Sequence, residues 1–411
     1  MRRVLMIAFH FPPIKVSSGI QRTLRFAQYL PQFGWEPLVL APHPRVYDST
    51  SQEDMGEPLS SMIVRRAFAL DSAKHLTVRG RYPRIAAVPD RWVAWWPGAV
   101  ASGLGMIRRY RPDVIWSTYP IATAHLIGMS LHRLSGIPWI ADLRDPMAQV
   151  DYPPDPMVRR SFLWIERQIA RHARRVTFTT PGALADYTRR YPHAAARFSL
   201  LENGYDETAF QSAGTVDPAA ARRPAAPLTL LHSGIIYPDE RDPRPLFEAI
   251  ARLAAKGSIT PGRVRIVLRA SGHDAYLKAL IDASAIGDIV VLAPPLPYEA
   301  ALQEMLSVDG LLLLQAANCN DQIPAKMYEY FRARKPLLAL TDPRGDTGRA
   351  IAGAGINTVA SLESADEIEQ VLPRFLALLE SGTAPIASEA VVRGASREAR
   401  TAAFAGLLDS V

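Results

Sequence analysis

Short apolar runs and amphipathic stretches alternate along the chain, beginning close to its first residue. The continuous apolar run at 4–9 predicts a buried parallel strand, and the run at 37–41 predicts a second one. Between them, four apolar residues recur at helical spacing: Ile20, Leu24, Ala27 and Leu30. Gly34 ends that helix, so the segment is predicted to form a strand–helix–strand unit.

The same alternation continues along the first half of the chain and then begins again near residue 228. In the first half, further strands are predicted at 112–116, 138–141, 176–180 and 198–201, and helices at 99–109, 122–134, 156–175 and 182–191. In the second half, strands are predicted at 228–232, 264–268, 289–292, 311–314 and 337–340, and helices at 245–255, 275–285, 298–306 and 325–333. Two successive halves of this kind predict an α/β protein with two doubly wound domains that face each other.

Local composition indicates where one predicted domain ends and the next begins. Residues 211–227 are rich in Ala, Pro and Arg and have little periodicity, which is typical of a linker. We therefore predict an N-terminal domain at 1–210 and a C-terminal domain at 228–395. A final helix at 396–411 has an apolar face and is predicted to dock back on the N-terminal domain.

Overall composition and charge narrow the class of protein. The chain has 48% hydrophobic and 21% charged residues, as ordinary globular proteins do. No apolar run reaches the roughly 18 residues that span a bilayer. The one cysteine, Cys319, excludes an internal disulfide and a multi-cysteine metal site, so a reducing cytoplasm is expected. The formal net charge of +7 favours a polyanionic partner, which is a nucleic acid, an anionic membrane or a phosphorylated substrate.

The predicted helix at 156–175 carries its charge on one side. Its apolar arc, which is expected to pack on the sheet, consists of Val158, Phe162, Ile165, Ile169 and Ala173. The opposite arc consists of Arg159, Arg160, Arg167, Arg171, Arg174 and Arg175. This basic face meets either anionic lipid headgroups or only solvent, and the pattern leaves both interpretations open.

Polar residues follow the predicted strand at 138–141. Asp142, Arg144 and Asp145 come at its carboxyl end, which in parallel sheets faces the ligand crevice. They are candidate site residues, and a structural ion pair is the alternative. A G-x-G-x-x-G motif does not follow the first strand, which argues against a nicotinamide or flavin enzyme.

A second candidate site lies where the strand at 311–314 leads into the helix at 325–333. Asp321 is a candidate N-cap of that helix, and Pro324 lies where the first helical turn tolerates a residue without an N–H. Glu329 follows Asp321 by eight residues. A helix start flanked by two carboxylates predicts a ligand with phosphate and hydroxyl groups, and an ordinary strand–helix unit is the alternative.

Several short segments carry a wider resemblance. They are Phe11-Pro12-Pro13 with Gly19, PWIADLRD at 138–145, LENGYD at 201–206, HSG at 232–234 and IPAKMYEY at 323–330. In this order they resemble GT-B glycosyltransferases, and among these the retaining family 4 enzymes of bacterial polysaccharide and glycolipid assembly. The resemblance implies two Rossmann-like domains facing across a cleft. The C-terminal domain would bind the nucleotide-sugar donor and the N-terminal domain the acceptor.

The resemblance also implies roles for individual residues. Glu329 matches the family's second acidic residue, which hydrogen-bonds ribose hydroxyls, and Asp321 stands where the family has Glu and is expected to reach the donor sugar. The donor diphosphate is expected to lie against backbone N–H groups at the helix start. The implied donor-binding residues are Gly19, Gly234, Arg241, Arg269, Gln322, Ile323, Pro324, Ala325, Lys326 and Glu329. The implied catalytic residues are Asp321, Glu329, Arg241, Asp145 and Arg144.

The chain departs from the family pattern at two places. The family has an Arg and then a Lys after the first strand of the second domain, whereas only Arg241 is near that place here; Arg269 or Arg244 is the candidate substitute. The family's histidine after the strand at 138–141 corresponds to Arg144. In retaining GT-B enzymes the donor phosphate accepts the acceptor's proton, so activity does not require that histidine. No Asp-x-Asp motif occurs, which agrees with metal-independent chemistry without a cofactor.

The leading hypothesis is a retaining glycosyltransferase that uses a nucleotide-diphosphate sugar and a lipid-linked or glycan acceptor. Its expected location is cytoplasmic, or peripheral at the inner face of the membrane. A nucleotide-sugar epimerase of the same fold and an inactive nucleotide-sugar-binding protein are the alternatives. A nucleic-acid partner would fit the charge but would explain none of the ordered motifs.

Overall fold

The chain folds into two compact units. The computed structural model describes residues 1–14, 18–50, 62–77, 79, 81–149, 152–214 and 226–411. Unit 1 comprises Met1–Asn203 with Arg397–Val411, and unit 2 comprises Gly204–Ser396. Most of the predicted linker, residues 215–225, lies outside the described residues.

Each unit is built on a sheet of parallel strands. The strands of unit 1 are β1 (Arg2–Ile7), β2 (Trp35–Pro42), β3 (Ile63–Ala67), β4 (Val114–Thr118), β5 (Trp139–Arg144), β6 (Arg175–Phe178) and β7 (Phe198–Leu200). Those of unit 2 are β8 (Leu228–Ser233), β9 (Val264–Arg269), β10 (Val290–Ala293), β11 (Gly310–Leu314), β12 (Leu337–Leu340) and β13 (Val359–Ala360). The described strands are ordered β3-β2-β1-β4-β5-β6-β7 and β10-β9-β8-β11-β12-β13.

Helices connect the strands and cover the sheets. In chain order they are α1 (Ser18–Tyr29), α2 (Ser72–His75), α3 (Trp95–Tyr110), α4 (Thr123–Ser135), α5 (Pro156–His172), α6 (Pro181–Arg190), α7 (Glu207–Ser212), α8 (Arg244–Ala255), α9 (Asp274–Ala283), α10 (Tyr298–Ser307), α11 (Lys326–Ala333), α12 (Asp346–Gly353), α13 (Ala365–Ser381), α14 (Glu389–Gly394) and α15 (Arg397–Asp409). The prediction of two doubly wound α/β domains is therefore confirmed. No helix in the described part of the chain is long and apolar enough to cross a membrane.

The sheet of unit 1 buries both of its faces. Along β1, Leu5 and Ile7 join one apolar layer while Val4 and Met6 join the other, because successive side chains of a strand point to opposite faces. This two-sided burial is why the strand is a continuous apolar run rather than an alternating one.

The last helix completes one of these layers. Phe404 of α15 packs against Phe26 of α1 and Trp116 of β4, with ring centroids 4.8 Å and 5.5 Å apart. The predicted helix at 396–411 thus belongs to the same compact unit as residues 1–203.

A buried ion pair joins α1 to the sheet of unit 1. Arg22 donates two hydrogen bonds to the carboxylate of Asp142, at 3.0 Å and 2.8 Å, and both side chains are almost fully buried. The same carboxylate accepts hydrogen bonds from the hydroxyls of Thr118 and Thr177, each at 2.7 Å. Arg22 also donates to the carbonyl of Leu201, near the end of the unit. Of the two interpretations open for Asp142, the geometry supports the structural ion pair.

The boundary between the units differs from the predicted one. Helix α7 belongs to unit 2, because Glu207 forms an ion pair with Arg332 and Phe210 is buried under the Arg332 guanidinium. The N–H of Tyr205 likewise donates to the carbonyl of Ala395, at 3.1 Å. A domain end at residue 210 would cut through this helix.

Two further parts of the chain depart from the predicted elements. Helix α3 begins at Trp95 rather than at residue 99, since the Trp95 ring is buried against Phe9 with centroids 5.9 Å apart. No element was predicted for 341–395, where unit 2 has α12, α13, α14 and β13. Helix α13 runs through Pro373, a residue that normally ends a helix.

Replacing Asp142 with Asn tests the role of the buried pair. The substitution leaves the Arg22 guanidinium buried without its counter-charge, so we expect D142N to lower the free energy of unfolding by about 3–5 kcal/mol. Urea denaturation measures this loss. Burial raises the pKa of Asp142, but Arg22 and the two threonine hydroxyls outweigh it and hold the pKa below 3.8. The contribution is therefore present above that pH and is lost as the pH falls through the folded pKa.

The matched control is D282N. Asp282 pairs with Lys278 on the surface of α9, where the two side chains are 60% and 70% exposed. We expect this variant to change the free energy of unfolding by less than about 0.5 kcal/mol. Equal losses in D142N and D282N would contradict the structural role of the buried pair.

Candidate functional site

The strand order of unit 2 reverses direction between β8 and β11. The chain runs from β8 outward to β10 on one side and from β11 outward to β13 on the other. Ligands in sheets of this kind bind at the carboxyl ends of the strands where the direction reverses. In unit 2 those ends are Ser233 of β8 and Leu314 of β11.

Helix α11 begins beside these strand ends, but Asp321 does not cap it. The N-cap is Ala325, whose side chain makes no capping hydrogen bond, and Asp321 is exposed in the preceding turn. The turn that leads into the helix is closed by a hydrogen bond from the N–H of Met327 to the carbonyl of Pro324, at 2.9 Å. The predicted N-cap role of Asp321 is therefore wrong.

The turn before α11 is held in place from β11. The side-chain amide of Gln315 donates to the carbonyls of Cys319 and Gln322, at 2.8 Å and 3.0 Å. The hydroxyl of Thr347 donates to the carbonyl of Gln322 as well, at 2.9 Å. The carbonyls of Cys319 and Gln322 thus accept hydrogen bonds inside the protein, whereas the first N–H groups of a helix have no acceptor within the helix itself.

Three backbone N–H groups at this helix start suit an anion. Within the described part of the chain, Ile323, Ala325 and Lys326 donate no backbone hydrogen bond. Free N–H groups at a helix N-terminus, together with the helix dipole, form a ready anion site.

Lys326 extends from the first residue of α11 to the end of β8. Its Nζ lies 3.1 Å from Nε2 of His232, and Nδ1 of His232 lies 3.0 Å from the carbonyl of Leu312. A carbonyl only accepts, so Nδ1 carries the hydrogen and Nε2 accepts from the amine. Burial, and then the charge of Lys326, hold the pKa of His232 well below its usual value, which keeps the ring neutral.

The Lys326 amine is itself easily deprotonated. Burial, followed by the positive charge of Arg241, lowers the pKa of Lys326 to about 7, while the Glu329 carboxylate acts in the opposite direction. The amine therefore lies among groups that do not fully compensate its charge. An anion arriving beside it would favour the charged form.

Gly234 makes room for this amine. Its φ of 112° is a conformation that favours glycine, and a Cβ added there would lie 2.9 Å from Nζ of Lys326. The preceding residue, Ser233, donates its N–H to the hydroxyl of Tyr330 on α11, at 3.0 Å. The end of β8 and the start of α11 are thus joined by two contacts.

Among the arginines predicted for this site, Arg241 differs from the other two. Arg241 donates to the carbonyl of Ile235, at 2.6 Å, and its positive charge lowers the pKa of Lys326. Arg269 instead forms a two-point ion pair with Glu304, at 2.5 Å and 2.8 Å.

Arg244, the other candidate substitute, pairs with a carboxylate too. Its guanidinium donates to Asp242, at 2.6 Å, and its backbone N–H bonds the same side chain. Arg269 and Arg244 are therefore occupied by carboxylates of their own unit.

Glu329 lies on the exposed side of the α11 start. Its Oε1 accepts a hydrogen bond from the hydroxyl of Tyr298, at 2.8 Å, and that tyrosine is the first residue of α10. Lys326 and Glu329 are three residues apart and share a helix face. The structure thus brings Gly234, Arg241, Lys326 and Glu329 together in unit 2.

The remaining predicted residues belong to unit 1. Gly19 lies in the first turn of α1, and Arg144 and Asp145 follow β5. Arg144 has a positive φ of 57° and donates to the carbonyl of Tyr119, at 3.4 Å. Burial lowers the pKa of Arg144, and the charge of Asp145 acts against that. Burial, and then Arg144, lower the pKa of the neighbouring His10 to about 4.

Unit 1 also has a cavity of about 800 Å³ near the carboxyl end of β4. Its aromatic wall consists of Tyr82, Trp92, Tyr119, Tyr152 and Phe162. The half-buried carboxylate of Asp90 lies in the same wall and accepts hydrogen bonds from the N–H and hydroxyl of Thr123. Flat apolar rings with a few polar groups are suited to a ring-shaped polar ligand.

Several site residues were missed in the sequence. His232, Tyr330 and Tyr298 contact the predicted residues from strands and helices distant in the chain, and His10 lies beside Arg144. The position of the two histidines in the sequence could have indicated them, because His10 and His232 come near the carboxyl end of the first strand of each half. In the described residues, no group of three metal-ligating side chains comes together.

Comparisons with known proteins address the family. Residues 18–204 match the model of the glycosyl transferase 4-like domain. Among curated proteins, no sequence matches this chain.

Solved structures share the fold over almost the whole chain. Sucrose-phosphate synthase from Thermosynechococcus elongatus is 14% identical, with a TM-score of 0.66 over 100% of this chain and 97% of that one. Anabaena HepE, in complex with UDP and glucose, is 14% identical, with a TM-score of 0.66 over 100% of both chains. A UDP-N-acetylglucosamine 2-epimerase is 14% identical, with a TM-score of 0.50 over 95% of this chain and 94% of that one.

These matches confirm the predicted resemblance to GT-B glycosyltransferases of the family 4 type. The chain has the GT-B fold, and its similarity to the glycosyl transferase 4-like domain covers residues 18–204.

Proposed function

We propose that this protein is a retaining glycosyltransferase that uses a nucleotide-diphosphate sugar as donor. The observation that carries the proposal is the start of α11, where free N–H groups, the Lys326 amine and the charge of Arg241 converge. A diphosphate leaving group develops negative charge during transfer, and fixed donors and cations at that point stabilise it. We propose that these protein groups act without a metal ion or a cofactor.

The carboxylates of the site are proposed to hold the sugars of the donor. Glu329 would accept hydrogen bonds from the ribose hydroxyls, and the exposed Asp321 would reach the transferred sugar. As in retaining relatives, a donor phosphate would accept the acceptor's proton.

Two alternatives share this donor site. A nucleotide-sugar epimerase has the same fold, although the TM-score of 0.50 is lower than the 0.66 of the synthase. An inactive nucleotide-sugar-binding protein would bind the donor and leave it unchanged. An epimerase would convert the donor sugar without any acceptor, so incubating the protein with the donor alone identifies that function. Adding an acceptor then separates a transferase from an inactive binding protein.

The donor site is tested first by thermal shift against UDP, GDP, ADP, TDP and their sugars. A matched nucleotide raises the melting temperature by mass action. With the best donor, we expect Glu329→Gln to lower kcat/KM of transfer about tenfold to a hundredfold, because it weakens charged hydrogen bonds to the ribose.

The matched control is Glu248→Gln, an exposed carboxylate on α8 that pairs with Arg252. We expect it to leave kcat/KM unchanged. Full activity in Glu329→Gln would show that this residue is not part of the donor site. If none of the nucleotides or their sugars raises the melting temperature, the proposed function is overturned.

We further propose that the acceptor is lipid-linked or part of a membrane glycan, and that unit 1 binds it. Helix α5 supplies the supporting observation. A single stripe of its exposed residues, three and four positions apart, continues just past its last residue: Met157, Arg160, Trp164, Arg167, Arg171 and Arg174. In the described residues, the four arginines of this stripe form no ion pair with a carboxylate.

The surroundings of the stripe are positive as well. Burial, and then the charge of Arg133, lower the pKa of His172 at the end of α5. The Trp164 side chain is 44% exposed between the arginines, a pairing that suits the interface of an anionic bilayer. The proposed location is therefore the cytoplasmic face of a membrane, with the protein bound peripherally.

Flotation with vesicles that contain phosphatidylserine tests this surface. Each arginine near such a surface contributes on the order of 1 kcal/mol, so the triple variant Arg160→Gln, Arg167→Gln, Arg171→Gln is expected to bind about a hundredfold less. Neutral phosphatidylcholine vesicles should recover little protein.

The control is another triple variant with the same change in net charge. Arg265, Arg374 and Arg393 are exposed on unit 2, and their replacement by Gln is expected to leave flotation unchanged. Equal recovery of the two triple variants would contradict a membrane-binding stripe on α5.

A further inference from the structure

The proposed donor site has one loop cation fewer than the sequence resemblance implies. After β8, only Arg241 lies where a pair of basic residues was anticipated. Arg269 and Arg244 do not act as the second basic residue, because their guanidinium groups form ion pairs with Glu304 and Asp242. A diphosphate, with its charge spread over two phosphoryl groups, would therefore meet a single loop cation on this side.

Lys326 reaches the same place from a different element. Its Nζ contacts the end of β8, 3.1 Å from His232, and lies where a side chain on Gly234 would otherwise be. Its backbone N–H is one of the three at the start of α11 that donate no backbone hydrogen bond in the described part of the chain. One residue thus presents an amine and a main-chain donor at the same place.

We propose that Lys326 supplies the second cation of the diphosphate site beside Arg241, and that donor binding is coupled to proton uptake by its amine. This inference rests on the proposed function of unit 2 as a donor-binding unit. It adds the identity of the second cation and a pH dependence of donor binding.

The groups that face the amine explain the coupling. On β8, His232 is neutral, and its Nε2 accepts a hydrogen bond from the amine while its Nδ1–H donates to Leu312. From the following loop, Arg241 repels a charged amine. On α11, Glu329 attracts it, and burial keeps the Tyr330 hydroxyl neutral by raising its pKa. In the unliganded protein, these groups and burial leave Lys326 with a pKa of about 7.

The direction of the effect follows from this balance. A bound diphosphate stabilises the charged amine and raises its pKa, so binding above pH 7 must take up a proton. Below that pH the amine is already charged and no uptake is needed. Affinity is therefore highest at low pH and falls as the pH rises through the unliganded pKa.

Isothermal titration of UDP-glucose, GDP-glucose, ADP-glucose and dTDP-glucose into the full chain tests the inference. These sugars carry fixed phosphate charges near neutral pH, so the ligand itself does not titrate. Runs in two buffers of different ionisation enthalpy count the protons. We expect uptake of close to one proton at about pH 8 and an affinity about tenfold lower there than at pH 6.

Variants at the same position separate charge from packing. Lys326→Arg keeps a permanent cation, so we expect binding without proton uptake and with less than about twofold change between the two pH values. Lys326→Met should bind about tenfold more weakly or worse at the lower pH. The control Lys335→Met removes another half-buried lysine, which faces Asp309 at the amino ends of β11 and β12, and should keep the wild-type proton count.

A second route displaces the amine without changing its chemistry. Gly234→Ala places a Cβ against Nζ, so affinity and proton uptake should both fall. Gly257→Ala, at another left-handed glycine with open space around it, is the control for backbone strain. Thermal melting of each variant shows whether it is folded before its binding is compared.

The outcomes are distinguishable. A donor that binds the wild type without proton uptake, or a Lys326→Arg variant that keeps the wild-type pH dependence, would overturn the inference and leave the proposed function standing. If none of the four sugars binds the wild type at either pH, the proposed function fails and the inference fails with it.

Discussion

The position of the first strand within each sheet is the constraint on which the candidate sites depend. β1 lies between β2 and β4, and β8 lies between β9 and β11, so the chain changes direction beside its first strand in both units. Connections leave the two neighbouring strands toward opposite faces, and a crevice opens at their carboxyl ends. His10 and Tyr119 lie at these ends in unit 1, and Gly234 and Gln315 in unit 2.

The two units treat charge at these ends differently. In unit 1 the charge of the buried Arg22 is neutralised by Asp142. That carboxylate also accepts hydrogen bonds from the hydroxyls of Thr118 and Thr177. In unit 2, within the described chain, Lys326 has no carboxylate within ion-pair distance and shares its surroundings with Arg241. A partly buried amine without a counter-charge gives up its proton more readily. An anionic ligand would supply the negative charge that the protein itself does not place beside the amine.

The sequence predicted the architecture well because apolar periodicity reports burial directly. Both doubly wound domains and most of their strands follow from it, whereas α13 was missed, in part because a proline lies within it. The predicted capping role of Asp321 was wrong because the helix begins at Lys326, with Ala325 as its N-cap, four residues after Asp321. The contact of His232 with Lys326 spans 94 residues, and no local spacing indicates a contact between elements so far apart.

Placing a cation on α11 instead of on a loop has a geometric consequence. Lys326 and Glu329 share one face of the same helix, so the distance between the proposed diphosphate and ribose partners is set by helical geometry. Arg241 comes from a loop and is oriented by the carbonyl of Ile235. The contact of Ser233 with Tyr330 fixes that helix against β8. A rigid helix thus carries two of the three recognition groups, and only the third depends on the conformation of a loop.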